Sequence, residues 1–157
     1  FRSLGLLFQE VAVALLGPRM KHLRPLCNFA VVLALVASAC LAVVAYSPLS
    51  IIWFNNVSGL SLALTEFAIP PLRLMVVLPA LSVILSLQRS ILLTTRRTTS
   101  ITLASSVEIL TIVGLLWTGI HVFDAVGMMS AAAALVIGRF LTNLWLARPC
   151  WRANVLA

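Results

Sequence analysis

Charged residues inside apolar segments are the positions at which this sequence could carry chemistry. They are Glu10, Glu66, Arg73, Glu108 and Arg139. An ionisable side chain at membrane depth is costly, so it marks a substrate or ion contact by default, or else pairs with an opposite charge. Carboxylates can exchange protons and guanidinium groups bind anions. These five residues are therefore the candidate substrate-binding or ion-binding residues.

The composition places these charges in a membrane. The 157 residues are 62% hydrophobic and 10% charged, with a mean hydropathy of +1.12. Soluble domains are about 45–50% apolar and about 25% charged. The net charge of +7 comes from short basic clusters between apolar runs, which is typical of cytoplasmic loops rather than of nucleic-acid binding. We predict an integral membrane protein in contact with the lipid bilayer, with no nucleic-acid partner.

Four apolar segments are long enough to cross a bilayer, which takes about 20 helical residues. They predict spans at 25–47, 62–94, 101–119 and 125–147. The apolar stretch at 1–16 is too short to span, and it predicts the tail of a truncated fifth helix that ends at Gly17 and Pro18. The predicted fold is all-α: a polytopic membrane helix bundle in which 1–157 form a single domain, a fragment of a larger protein.

Basic residues in alternate loops orient the chain. Arg19, Lys21 and Arg24 precede the first span. Arg96 and Arg97 separate the second span from the third, with Arg89 shortly before them, and Arg148 and Arg152 follow the fourth. The two intervening loops contain no Lys or Arg. The positive-inside rule therefore predicts that the basic loops and the C-terminus are cytoplasmic, in a plasma or inner membrane.

The second span is unusual because charges and prolines interrupt its apolar run at Glu66, Pro70, Pro71, Arg73 and Pro79. Prolines free backbone groups, so we expect a broken helix that faces protein or a water-filled cavity. If the helix begins near residue 62, Arg73 lies in mid-membrane; if Pro71 begins it, Arg73 lies nearer the outer interface. Arg73 and Glu66 are either a structural bridge or snorkelling groups, or they contact a substrate or an ion.

Glu108 and Arg139 form a more constrained pair. Each lies well inside its span, and a turn near 121–124 would bring them to the same depth. Intramembrane charges usually pair, which predicts a mutual ion pair. The alternative is that one of the two titrates during transport.

The residues that enzymes and metal sites need are not arranged for either task. The sequence has no serine–histidine–acid set, no metal-ligand spacing and no glycine-rich phosphate loop. Cys27, Cys40 and Cys150 have neither CxxC nor Cys/His spacing. We predict no enzyme, no cofactor and no metal site.

Several short motifs resemble the C-terminal part of the progressive ankylosis protein family. They are Glu66, Pro71-Leu72-Arg73, Pro79 and Arg96-Arg97-Thr98, with Ser47-Pro48, Asn56-Val57 and Ser105-Ser106-Val107. The chain is also similar in layout to the last helices of the multidrug/oligosaccharidyl-lipid/polysaccharide exporter superfamily, which includes the MATE transporters. In that superfamily, two six-helix bundles face each other across a central cavity.

The resemblance implies the C-terminal bundle of an alternating-access exporter whose missing N-terminal bundle is its partner. The implied cargo is a small organic anion of the citrate, nucleotide or pyrophosphate type, with Arg73 facing the central cavity. One alternative is a lipid-linked sugar or multidrug exporter with an amphipathic substrate. Another is a non-transporting scaffold subunit whose small-residue faces bind partner helices.

Overall fold

The protein is a bundle of α-helices in the computed structural model, which describes residues 2–16, 23–59, 61–95, 98–121 and 127–155. The described part of the chain contains no β-strand. Its α-helices are α1 Arg2–Leu16, α2 Leu23–Tyr46, α3 Leu49–Ile52, α4 Leu62–Leu74, α5 Leu78–Thr94, α6 Thr98–His121 and α7 Gly127–Val155. The all-α prediction is confirmed.

Four stretches of helix are long and apolar enough to cross a membrane. They are Leu23–Tyr46, Ala63–Thr94, Thr98–His121 and Gly127–Cys150. These agree with the four predicted spans, except that the third begins earlier, at Thr98, and that α7 continues through Pro149. The chain is therefore an integral membrane protein. The side of the membrane on which its basic loops lie stays a prediction.

The connection between the first two spans is itself helical. Pro48 ends α2 because it has no N–H to donate, and the short α3 follows it, stabilised by the hydroxyl of Ser50 donating to the carbonyl of Ser47. A π-helical turn at Trp53–Val57 comes next, and Gly59 then reverses the chain with a φ of 66°. A positive φ of this kind is one that glycine adopts without a steric penalty.

The second span is interrupted, as expected, but the interruption does not lie at the proline pair. Pro70 and Pro71 lie inside α4. The distortion is a 3-10 turn at Met75–Val77, directly before Pro79. Pro79 cannot donate to the carbonyl one turn earlier and its ring crowds that carbonyl, so the backbone tightens there. The helix starts at Leu62, as the first of our two alternatives required.

A neighbouring helix supports the backbone at this distortion. The N–H of Ala80 donates to the hydroxyl oxygen of Ser38 on α2, with an N···O distance of 3.2 Å. Side chains of neighbouring helices commonly satisfy the backbone groups that prolines disturb in membranes. The 3-10 turn at Met75–Val77, called the kink below, is therefore supported by a hydrogen bond between α5 and α2.

Helix α5 is the central element, because α1, α2 and α7 all pack against it. The hydroxyl of Ser90 donates to the carbonyl of Gln9, and Gly5 lies against Ser86, so α1 runs parallel to α5. Small residues line the contact and let the helices approach closely. The core between these helices contains Phe8, Ala12, Leu16, Leu26, Ala30, Ala34, Val83 and Ile91.

Helices α6 and α7 form a close antiparallel pair, and α7 packs against α5. A Cβ atom on Gly138 would lie 2.8 Å from Cγ1 of Ile112, so only glycine fits at this contact. Apart from this pairing α6 is largely uncovered, and Ala104 is its only fully buried residue among those described.

Candidate functional site

Glu108 and Arg139 form the predicted ion pair. Oε1 of Glu108 lies 3.2 Å from Nη1 of Arg139, near the middle of α6 and α7. Gly138, next to Arg139, sets the close approach of the two helices at this level. The side chains are only 14% and 19% exposed, so the pair is screened little by solvent.

A second arginine joins this pair, which the sequence analysis missed. Nη2 of Arg89 lies 3.8 Å from Oε2 of Glu108 and donates to the hydroxyl of Ser105 at 3.3 Å. We had grouped Arg89 with the basic loop that follows it. Arg89 lies inside the second span, as the predicted bounds of 62–94 require, and what the prediction missed is its contact with Glu108. Arg89, Glu108 and Arg139 together are called the Glu108 cluster below.

A polar seam between α5 and α7 extends from the Glu108 cluster. The amide nitrogen of Asn143 donates to the carbonyls of Leu81 at 3.1 Å and Arg139 at 2.9 Å, while the amide nitrogen of Gln88 donates to the carbonyl of Asn143 at 3.2 Å. The buried side-chain oxygens of Gln88 and Asn143 have no hydrogen-bond partner within the described ranges. The bonds from Asn143 to Leu81 and from Gln88 to Asn143 connect α5 and α7, whereas the bond to Arg139 lies within α7.

A small cavity adjoins the Glu108 cluster between α1, α5 and α7. Its volume is about 60 Å³, and its lining consists of Gly5, Gln9, Ser82, Leu85, Ser86, Arg89 and Arg139. Sites for drug-sized or cofactor-sized ligands have volumes of about 300–1,000 Å³. This cavity is therefore too small for a citrate or a nucleotide.

Arg73 lies apart from the Glu108 cluster, on the surface of the bundle. Its side chain is exposed, and its Cζ atom lies 5.3 Å from the ring centroid of Tyr46, which is also exposed. This distance is within the range of a cation–π contact. Tyr46 and Arg73 together are called the Arg73 face below.

The structural bridge between Glu66 and Arg73 is not formed. In the described part of the chain, the carboxylate within 4.0 Å of an arginine is that of Glu108 alone. Seven helical residues separate Glu66 from Arg73 by about 10 Å along the axis, which neither side chain bridges here. Glu66 instead lies exposed beside an apolar groove of about 380 Å³ between α4 and α7.

The remaining candidates stay isolated. Glu10 is exposed on α1 and joins neither charged region. Asp124, at the predicted turn, lies outside the described residues. Within the described ranges, no three His, Cys, Asp or Glu side chains come together as metal ligands would.

The five candidates thus separate into a buried charge cluster, an exposed arginine face and two exposed carboxylates. In the cluster two guanidinium groups share one carboxylate inside the bundle, whereas Arg73 is exposed and has no described counterion. Comparison of the chain with protein families, with curated proteins and with solved structures finds no match.

Proposed function

We propose that the chain is part of a membrane transport protein, the C-terminal bundle of an alternating-access exporter similar to the progressive ankylosis family. Its cargo in this proposal is a small organic anion of the citrate, nucleotide or pyrophosphate type. The motifs around Glu66, Arg73 and Pro79 support the family assignment. The four membrane-length helices are compatible with it.

The observation that carries the proposal is the exposure of Arg73 at membrane depth. Arg73 lies well inside the Ala63–Thr94 span, yet its guanidinium is on the bundle surface. Intramembrane arginines almost always face a bundle interior or a water-filled cavity rather than lipid. The Arg73 face is therefore where we place the wall of the transport cavity, opposite the N-terminal bundle.

The chemistry of the Arg73 face suits an anion. No described carboxylate lies within ion-pair distance of Arg73, so its five N–H donors are available to a carboxylate or phosphate ligand. The attraction is stronger in a poorly screened cavity than in water. Tyr46, beneath the guanidinium, holds the side chain in place without competing for the anion.

The space available favours the Arg73 face over the Glu108 cluster as the cargo site. The cavity of about 60 Å³ at the Glu108 cluster cannot admit an organic anion. The Arg73 face is not enclosed by the described residues, so it sets no such limit on the ligand. We therefore assign cargo binding to Arg73 and a structural role to Glu108 and Arg139.

A transport assay tests this function. The full-length protein, reconstituted in vesicles, would be assayed with citrate, a nucleotide and pyrophosphate for wild type, Arg73→Ala and Arg73→Lys. Arg24→Ala is the matched control, because Arg24 is exposed at the start of α2. We expect Arg73→Ala to reduce anion transport roughly tenfold or more, which corresponds to about 1.4 kcal/mol. Wild-type rates in Arg73→Ala would contradict the proposal.

A further inference from the structure

Hydrogen-bond donors dominate the lining of the small cavity beside the Glu108 cluster. Three different helices supply them: Gln9 from α1, Ser82, Ser86 and Arg89 from α5, and Arg139 from α7. The Glu108 carboxylate is not part of the lining. An occupant of this cavity would therefore meet two guanidinium groups and several neutral donors.

Two serine hydroxyls in the lining depart from the pattern of their own helix. Ser90, Thr94 and Thr95 each donate to a carbonyl about one turn earlier, at 2.8 to 3.0 Å. This back-bonding is the usual arrangement for a hydroxyl inside a helix. The hydroxyls of Ser82 and Ser86 donate to no group within the described ranges, although Ser86 is only 7% exposed.

These two hydroxyls line the cavity and have no hydrogen-bond partner among the described residues, so they can donate to a group bound there. The volume of about 60 Å³ fits only a small occupant, since a single water needs roughly 10–15 Å³ of such space. The choice between water alone and an ion follows from charge. Arg89 and Arg139 make the cavity electropositive, and low screening strengthens their attraction for an anion.

We propose that this cavity binds a small inorganic anion of halide size. Such an anion accepts hydrogen bonds from the two serine hydroxyls and from Arg139, and it joins α1, α5 and α7 at one point. This proposal goes beyond the proposed transport function and does not rest on it. The anion is a structural ligand, and the organic cargo binds at the Arg73 face.

The first experiment is a direct one. Crystals of the full-length protein, grown in bromide, would be measured at the bromine absorption edge. We expect an anomalous peak in the cavity, within hydrogen-bond distance of Ser86 and Arg139. A cavity that holds only water, with no anomalous peak, would overturn the proposal whatever the transport assay shows.

The second experiment measures affinity in solution. The melting temperature of the purified protein would be followed as chloride replaces gluconate at constant ionic strength. Because a ligand of the native state stabilises it by mass action, we expect a saturable rise with chloride. The Ser82→Ala/Ser86→Ala double variant loses two hydrogen bonds to the anion. Its half-saturating chloride concentration should therefore rise by roughly tenfold or more.

Ser106→Ala is the control, because the Ser106 hydroxyl is exposed and donates to Thr102 within its own helix. This variant should keep the wild-type chloride response. A chloride response of the double variant equal to that of the wild type would refute the proposal, and so would a wild-type melting temperature that stays constant as chloride replaces gluconate. If the double variant does not fold, the bromide measurement on the wild-type protein decides.

Discussion

Arg139 and Arg73 are both arginines within membrane-length helices, but Arg139 is ion-paired between helices whereas Arg73 is exposed on the surface of the bundle. Arg139 is 19% exposed and shares the carboxylate of Glu108 with Arg89. Arg73 is exposed and lies over the ring of Tyr46. The guanidinium of Arg139 is therefore ion-paired inside the bundle, whereas that of Arg73 has no described counterion.

The difference predicts a structural role for Arg139 and is the basis for the proposed cargo-binding role of Arg73. Removing one partner of a buried ion pair leaves an uncompensated charge, so substitutions in the Glu108 cluster should lower the free energy of unfolding. Removing an exposed guanidinium leaves no such charge behind. We therefore expect the stability of the bundle to depend on Glu108 and its transport activity to depend on Arg73.

The largest expected effect is that of Glu108→Gln. Loss of the carboxylate leaves Arg89 and Arg139 close together without the charge they share, which should cost about 3–5 kcal/mol in the free energy of unfolding. Denaturant unfolding in detergent measures it. The control is Glu66→Gln, which removes an exposed carboxylate and should cost at most about 0.5 kcal/mol. Equal effects of the two variants would remove the distinction between the buried and exposed charges.

Gly138→Ala tests whether close contact of α6 and α7 positions the Glu108–Arg139 pair. The new Cβ would lie 2.8 Å from Ile112, and such overpacking should cost about 1–3 kcal/mol. Gly114→Ala is the matched control, because a Cβ there meets no atom within 4 Å. It should be neutral or stabilise the helix by up to about 1 kcal/mol. Similar unfolding curves for both variants would contradict this account of the helix contact.

Ser38→Ala tests the support of the kink that separates the Arg73 region from the rest of the span. Loss of the bond from the N–H of Ala80 should cost about 0.6 kcal/mol and at most about 1.7 kcal/mol, the average and the maximum for interhelical hydrogen bonds in a membrane protein. Ser106→Ala serves again as the control in the same unfolding assay. A smaller effect for Ser38→Ala than for Ser106→Ala would show that the kink needs no support from α2.

The smallest expected effect on stability is that of Arg73→Ala. An exposed cation–π contact contributes about 0.5–1 kcal/mol. A double-mutant cycle with Tyr46→Leu should give a coupling energy of that size, measured by unfolding. A coupling energy of several kcal/mol would indicate that Arg73, like Arg139, stabilises the bundle, which would contradict this account.

The sequence predicted the positions that local pattern determines. Span length and hydropathy located all four long helices, and matched depth in a hairpin predicted the Glu108–Arg139 pair. Arg89 was missed because its nearness to Arg96 and Arg97 along the chain suggested a loop. Its partner comes from another helix, and only the packing of α5 against α6 shows that.

The prolines show the same limit. All three of Pro70, Pro71 and Pro79 could have broken the second span by the local rule. The distortion occurs before Pro79, where Ser38 of α2 supplies a hydrogen bond to the neighbouring backbone. A contact between segments distant along the chain is not visible in the local pattern around each proline.

The central claim is that Arg73 faces an aqueous transport cavity, and accessibility of this position tests it most directly. Arg73→Cys would be made in the full-length protein with Cys27, Cys40 and Cys150 replaced by Ser, and exposed to a membrane-impermeant thiol reagent. Val113→Cys, at an exposed apolar position of α6, is the control for a lipid-facing site. We predict that the reagent labels Arg73→Cys from the aqueous phase and does not label Val113→Cys. Failure of Arg73→Cys to react, like the control, would contradict the account.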